Sequence, residues 1–294
     1  MAELAEPGLE QGRKRVSDRV MAISVTGAHT LEHIYGRSFQ VLVPVIALAL
    51  SLPPFQIGLL EAVRLFTSGV VSMASGFFVD ILAHRRGQIL AFSFALIAVG
   101  YFLAAIAPSY TLILIALALA SAGSALWHPP ALGLLAERYP EQKGLYISLH
   151  RSTGNIGDAI GPLLVGALLG YTGWQWIAGG GAPVMLIVSA LILIFLWNIG
   201  GPKPEHIAVG QKFRSQLISA KDAMKGTGMA SVFTVSALRG MGDASLIWVI
   251  PAYLLLELEK SPLVMALHVA FWRLRASYQG RYSVRSQIAS DASQ

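Results

Sequence analysis

The chain contains no cysteine. That excludes a disulfide framework, thiolate-held zinc and a thiol nucleophile, and it leaves the redox compartment open. Charge is also scarce, at 13% of residues, against the ~25% of ordinary soluble domains. Spread over 294 residues, so little charge does not cover the surface of a soluble enzyme. The 54% hydrophobic content and the mean hydropathy of +0.59 equally exclude a disordered chain. No Gly-Lys dipeptide occurs, so there is no Walker A phosphate loop. No Gly-x-Ser-x-Gly elbow occurs either. An ATP-driven pump and an esterase therefore have no support.

What the sequence does have is long apolar runs. A membrane helix needs ~20 mostly apolar residues. Seven segments qualify: 21–50, 55–79, 88–107, 111–136, 145–170, 175–199 and 229–256. The turn formers Ser51-Leu52-Pro53-Pro54, Pro108-Ser109-Tyr110 and Tyr171-Thr172-Gly173 separate some of them. The fold class is all-α and polytopic. The first span is long for a ~30 Å hydrocarbon core, and Pro44 is the expected bend.

Five regions follow: an N-terminal tail over 1–20, six spans over 21–199, a basic loop over 200–228, a seventh span with a partial eighth over 229–272, and a polar basic tail over 273–294. The tail carries Arg13, Lys14, Arg15 and Arg19. It is not a signal peptide, because the apolar stretch behind it is too long and six more follow. Thirteen Lys and Arg lie in the tail and the even-numbered loops, against Lys260 alone in the odd-numbered ones. This bias puts the N-terminus in the cytoplasm. It also accounts for the net charge of +6 without nucleic acid.

Ionisable side chains inside a bilayer are costly and mark a cavity, a relay or a structural pair. Span 1 holds His29, Glu32, His33 and Arg37, span 2 Glu61 and Arg64, and span 4 His128. Span 5 holds His150, Arg151 and Asp158, and span 7 Arg239 and Asp243; spans 3 and 6 hold none. Spans 3 and 6 are therefore expected to face lipid, with the other five around a wet interior. His29, His33 and Arg37 share one helical stripe, as do Arg151, Asn155 and Asp158. Arg239 and Asp243, and Glu61 and Arg64, are within reach on their helices. The competing interpretation makes such pairs structural fasteners, and it is preferred for Glu61–Arg64. Four-residue rows of small residues, Ser68-Ser72-Gly76 in span 2 and Gly157-Gly161 in span 5, suit close helix packing.

His29-Thr30-Leu31-Glu32-His33 matches the zinc-protease pattern H-x-x-E-H. In a metalloenzyme the two His would ligate zinc and Glu32 would be the general base. The pattern is short, no well-placed third ligand follows it, and His128 or His150 would have to serve. A polar stripe lining a cavity accounts for the same residues, so no metal and no cofactor is assigned.

Two segments are more specific. Gly76 to Arg86 keeps Gly76, Asp80 and the basic Arg85 of the G-x-x-x-D-[RK]-x-G-R-[RK] signature, and departs from it at Ile81, Ala83 and His84. It resembles the gate loop of the major facilitator superfamily, with Arg86 as a further basic residue. Gly154, Gly157, Gly161, Pro162 and Gly166 resemble the glycine-rich fifth helix of the family's exporters. With Gly123 to Ala131 and Ala28 to Tyr35, the chain is similar to the fosmidomycin-resistance-like branch. The resemblance implies a proton-coupled antiporter in the bacterial inner membrane, which exports a small polar or anionic drug by rocking two six-helix halves about a central site. It also implies that helices 1, 4 and 7 line the cavity, flanked by 2 and 5.

Glu32, Asp158 and Asp243 are the candidate coupling acids and the four histidines candidate proton shuttles. Arg37, Arg151 and Arg239 are candidate holders of an anion. The expected partners are the lipid bilayer, a small-molecule substrate and protons, with no nucleic acid. An uptake facilitator for a metabolite is the alternative. Leu263 to Trp272 is too short to cross ~30 Å. A truncated or frameshifted transporter with a non-native tail and little activity is therefore expected; a short amphipathic eighth helix is the other option.

Overall fold

The computed structural model describes residues 17–200, 209–226, 228–272 and 274. Among them every long element is helical: α1 (Asp18–Ala49), α2 (Pro54–Ile81), α3 (Arg86–Ile106), α4 (Tyr110–Arg138), α5 (Lys143–Leu168), α6 (Trp174–Gly180), α7 (Ala182–Phe195), α8 (Val209–Met224) and α9 (Met229–Ala252), then α10 (Pro262–Trp272). Of the tails expected over 1–20 and 273–294, residues 1–16, 273 and 275–294 lie outside the described residues, as do 201–208 and 227 of the expected loop. The chain is all-α and polytopic. Pro54–Ile81, Ala83–Ile106, Tyr110–Arg138 and Trp174–Phe195 are long and apolar enough to cross a membrane. The other three expected spans coincide with α1, α5 and α9, whose ionisable residues lower their hydropathy.

Local chemistry sets the helix starts. Ser17 and Ser109 cap α1 and α4, their hydroxyls accepting from Val20 and Leu112 N–H at 3.4 Å. Such caps satisfy donors that have no partner in the first turn. Pro54 opens α2 at the position where a missing N–H costs nothing. After Pro251 the helix widens into a single π-turn over Tyr253–Glu257, the kind of adjustment that follows a lost backbone donor.

In lipid the helices gain little from apolar burial against one another, so close backbone approach matters. The α3–α4 pair shows this. A Cβ on Gly100 would lie 2.5 Å from the Ala120 nitrogen, and one on Gly123 2.7 Å from the Ser93 carbonyl. Ser93 Oγ donates to the Gly123 carbonyl oxygen at 2.7 Å across the same contact. The α1–α5 pair is built the same way: Gly157 and Gly161 admit the α1 backbone at Thr30 and Ile34, and Gly154 admits the His29 and His33 rings. Gly166 seats α10 through Ala266. All five residues of the helix 5 motif are buried.

Spans 3 and 6 each present one exposed apolar face. Phe92, Val99, Phe102 and Ile106 of α3 and Ile187, Ile194 and Phe195 of α7 are exposed, an apolar face of the kind that meets acyl chains.

The sixth expected span is present as Trp174–Phe195, with a one-residue interruption at Gly181 between α6 and α7. α1 continues as a helix through Pro44. Two expectations need correction. Part of the 200–228 loop is helical: Phe213, Leu217 and Ile218 give α8 an apolar stripe, and Phe213 meets Phe77 of α2 with centroids 5.1 Å apart. The small-residue row of α2 seats no helix among the described residues, for a Cβ on Gly76 meets nothing within 4 Å.

Candidate functional site

The α1–α5 contact fixes the site. With no Cβ at Gly154, the His29 and His33 rings lie against α5; a methyl there would sit 2.7 Å from His29 Cε1. Glu32 is 3% exposed and Asp158 9%, so both acids point inward as expected. Asp158 Oδ1 accepts from His33 Nδ1 at 2.6 Å and from Arg37 Nε at 2.8 Å. One carboxylate of α5 thus holds two side chains of α1, four residues apart on the same stripe.

Glu32 turns toward α4, where Ser124 Oγ donates to its Oε1. His33 Nε2 lies 3.5 Å from Glu32 Oε2. His29 Nδ1 donates to the His150 carbonyl at 2.7 Å, and His128 Nδ1 to the Ser124 carbonyl at 3.0 Å. His29 and His150 stack with centroids 3.7 Å apart. The sequence separations of these contacts reach 125 residues. Four polar residues of α1 are therefore assembled with α4 and α5 into one cluster.

Beside the cluster opens a cavity of about 190 Å³. Glu32, His33, Arg37 and Gln40 of α1, Glu61, Arg64 and Ser68 of α2, and Ser121, Ser124 and His128 of α4 line it, with Trp248 of α9. Arg64 Nη1 donates to Glu61 at 2.8 Å, and its guanidinium stands 4.6 Å from the centre of the Phe39 ring. A cation, its carboxylate and an aromatic face in a low-dielectric cavity form an adjustable anion-binding group. Glu61 and Arg64, set aside from the sequence as fasteners, are thus cavity residues. Ser124 and Gln40 gave no separate signal, although Ser124 stands one turn before His128.

The other expected site residues are placed differently. Arg151 was expected on the stripe of Asp158 but is exposed; at that level of α5 the contact with α1 is made by His150. Asn155 is half-buried, and neither lines the cavity. Arg239 and Asp243 pair with each other at 3.5 Å, with side chains 82% and 58% exposed. From α9 only Trp248 reaches the cavity. From α3, expected to stay outside, Ile97 and Tyr101 do reach it. An apolar helix contributes to a polar cavity here through a small wall patch and a phenol.

Of the residues expected in the gate motif, Arg86 belongs to a separate group of contacts at one end of the helices. Arg86 is buried at the start of α3 and pairs with Glu137 near the end of α4. Arg138 meets Asp18 at 3.4 Å and the Ile199 carbonyl at 3.3 Å. Gly200 lies against the Ala83 and His84 backbone. Asp80 and Arg85 are exposed.

A family model of the Major Facilitator Superfamily matches residues 27–285. The fosmidomycin resistance protein of Escherichia coli strain K12 is 26% identical over 193 residues, or 62% of this chain and 47% of that protein. The putative multidrug resistance protein MdtD of the same strain is 26% identical over 212 residues, 69% of this chain and 44% of that protein. The chain spans about half the length of these relatives. In fold it is similar to a bacterial homologue of the human lysosomal transporter Spinster in an inward-facing, unoccupied conformation. There the TM-score is 0.74 at 15% identity, over 90% of this chain and 61% of that one.

Proposed function

This chain belongs to the Major Facilitator Superfamily, and from that premise we propose that it forms one wall of an export pathway for a small anionic drug. It is a membrane transporter chain and not an enzyme. The observation that carries the proposal is the pair of arginines, Arg37 and Arg64, facing a polar cavity inside apolar helices. A guanidinium binds carboxylate, phosphate or phosphonate through charge-assisted hydrogen bonds. The printed names of two relatives, a fosmidomycin resistance protein and a multidrug resistance protein, favour drug efflux over metabolite uptake. In this reading the chain lies in the bacterial inner membrane with its N-terminus in the cytoplasm, as the Lys and Arg bias requires.

Glu61 then gates the anion site by protonation. It faces the cavity, holds Arg64 and stands outside the histidine cluster. When Glu61 takes a proton, Arg64 is freed for the anion; when the anion leaves, the ion pair reforms. Arg37 and Glu32 from α1, His128 from α4 and Tyr101 from α3 face the same space.

Purified chain in detergent is expected to bind fosmidomycin saturably, read by quenching of tryptophan fluorescence near Trp248. Binding tightens as pH falls, because protonation breaks the competing Glu61–Arg64 pair. Arg64→Gln is expected to weaken it at least about tenfold, the loss of roughly one charge-assisted bond of 1.5–3 kcal/mol. Glu61→Gln leaves Arg64 free at every pH and flattens the pH dependence. Binding that is indifferent to Arg64, or a pH profile unchanged in Glu61→Gln, overturns the assignment.

A further inference from the structure

We propose that His29, Glu32, His33 and His128 form a binding site for a divalent transition metal of the zinc class, at the edge of the cavity. The proposal does not depend on the drug-export reading.

Proton positions carry the argument. A backbone carbonyl only accepts hydrogen bonds. His29 Nδ1 lies 2.7 Å from the His150 carbonyl and His128 Nδ1 3.0 Å from the Ser124 carbonyl, so both Nδ1 atoms carry the hydrogen. Each neutral ring is then left with a bare Nε2. Those two nitrogens face each other at 3.4 Å. Two lone pairs at that distance repel unless a cation lies between them. Ligand atoms ~2.0–2.1 Å from a tetrahedral zinc ion are themselves about 3.3 Å apart, which is the separation these nitrogens have.

His33 repeats the pattern. Its Nδ1 hydrogen is taken by Asp158 Oδ1 at 2.6 Å, leaving Nε2 bare. Glu32 supplies the carboxylate, oriented by Ser124. The four ligand atoms all lie within 4.8 Å of one another; small side-chain rotations close the longer separations around an ion. Metal-ligating histidines almost always give their other N–H to a carbonyl or carboxylate, which fixes the tautomer and raises basicity. All three rings have such a partner here. Three imidazoles and a carboxylate suit zinc and its neighbours over magnesium or calcium, which prefer oxygen ligands.

The sequence pattern His29-x-x-Glu32-His33 lacked a placed third histidine. The fold supplies His128 from α4, 99 residues from His29. His128 and Glu32 also line the cavity, so a bound ion would present any open coordination position to whatever enters it.

The test is metal binding by the purified full chain, after chelation and with zinc or cobalt(II) alone as the probe. One equivalent is expected by elemental analysis after gel filtration. Cobalt is expected to give the intense visible absorption of a tetrahedral nitrogen and oxygen site. His128→Gln and Glu32→Gln are expected to lower affinity at least about tenfold, the smaller end of what even outer partners of a metal contribute. His268→Gln, at an exposed histidine outside the cluster, binds as the parent does, and circular dichroism checks that each variant keeps its helices. Absence of stoichiometric binding by the parent chain overturns the site and assigns the 3.4 Å contact to a shared proton. Equal affinity in folded His128→Gln and Glu32→Gln overturns it as well. The drug-binding result stands or falls separately, through Arg64.

Discussion

Asp158→Ala is expected to lower stability by about 3 kcal/mol and to remove drug binding. Breaking a buried ion pair by deleting one partner costs roughly 3–5 kcal/mol, because the other charge stays behind unpaired. The lower end applies here, since the Arg37 side chain is 39% exposed and keeps some solvation. The damage reaches further than one pair. Asp158 holds both Arg37 and the Nδ1 hydrogen of His33, so its loss releases two cavity residues at once. Chemical denaturation in micelles, followed by circular dichroism, measures the loss. Asp158→Ala with Arg37→Leu is expected to recover part of it, because the stranded cation is gone and coupled residues are not additive. A double variant as unstable as the sum of the two singles would show that Asp158 and Arg37 act independently.

Gly157→Leu is expected to be as severe, through packing. A Cβ at Gly157 would lie inside contact distance of the Thr30 carbonyl and 2.7 Å from the Cβ of His33. Backbone cannot yield as a flexible side-chain end does, so α1 and α5 must separate. Overpacking costs typically 1–3 kcal/mol, sometimes more, and an isobutyl group against a helix backbone belongs at or above the top of that range. Separation also pulls His33 away from Asp158, because both sit at this contact. Gly144→Ala on the same helix is the control. A Cβ there meets nothing within 4 Å, and alanine favours a helix over glycine by about 1 kcal/mol. The two variants should therefore shift the melting temperature in opposite directions in detergent. A tolerated leucine at 157 would mean that the glycine row does not set the α1–α5 approach.

These two cases show what one sequence discloses. The glycine spacing of span 5 was legible as a close-packing row, and the structure supplies α1 as its partner. Span 2 carried the same spacing in Ser68, Ser72 and Gly76, yet Gly76 has open space around it. Spacing reports that a helix can be approached, not that another helix is there. The polar stripe of span 1 was legible too, because ionisable groups are rare in apolar runs. What they touch was not, since His33–Asp158 and His29–His128 join residues 125 and 99 apart. The tautomers of His29 and His128 follow only from the carbonyls they meet in space.

Arg151 shows the limit of helical arithmetic. It shares the stripe of Asp158 by spacing, but its neighbour His150 makes the contact with α1, and the arginine is exposed. Tyr101 shows the opposite case. It lies on a helix with no ionisable acid or cation in its apolar part, and was counted outside. Its ring reaches the cavity between α1 and α4, with its centroid 4.7 Å from that of Tyr35. Alternating polar and apolar faces fix which side of a helix turns inward, but not which inward side chains reach the central space. Gly181 gave no signal in the sequence, and it acquires a reason only when the Tyr35 ring is seen against it.

The central claim is that α2 presents a water-lined face while α3 and α7 present faces to lipid. The absence of cysteine makes this directly measurable, because every introduced thiol is the only one. Leu65→Cys and Ser68→Cys, on the cavity wall, are expected to react with a small hydrophilic thiol reagent in native membranes. Val99→Cys and Ile187→Cys, on the outer faces, are expected to stay unlabelled until detergent is added. Rapid labelling at Val99 and Ile187 together with silence at Leu65 and Ser68 would contradict the account.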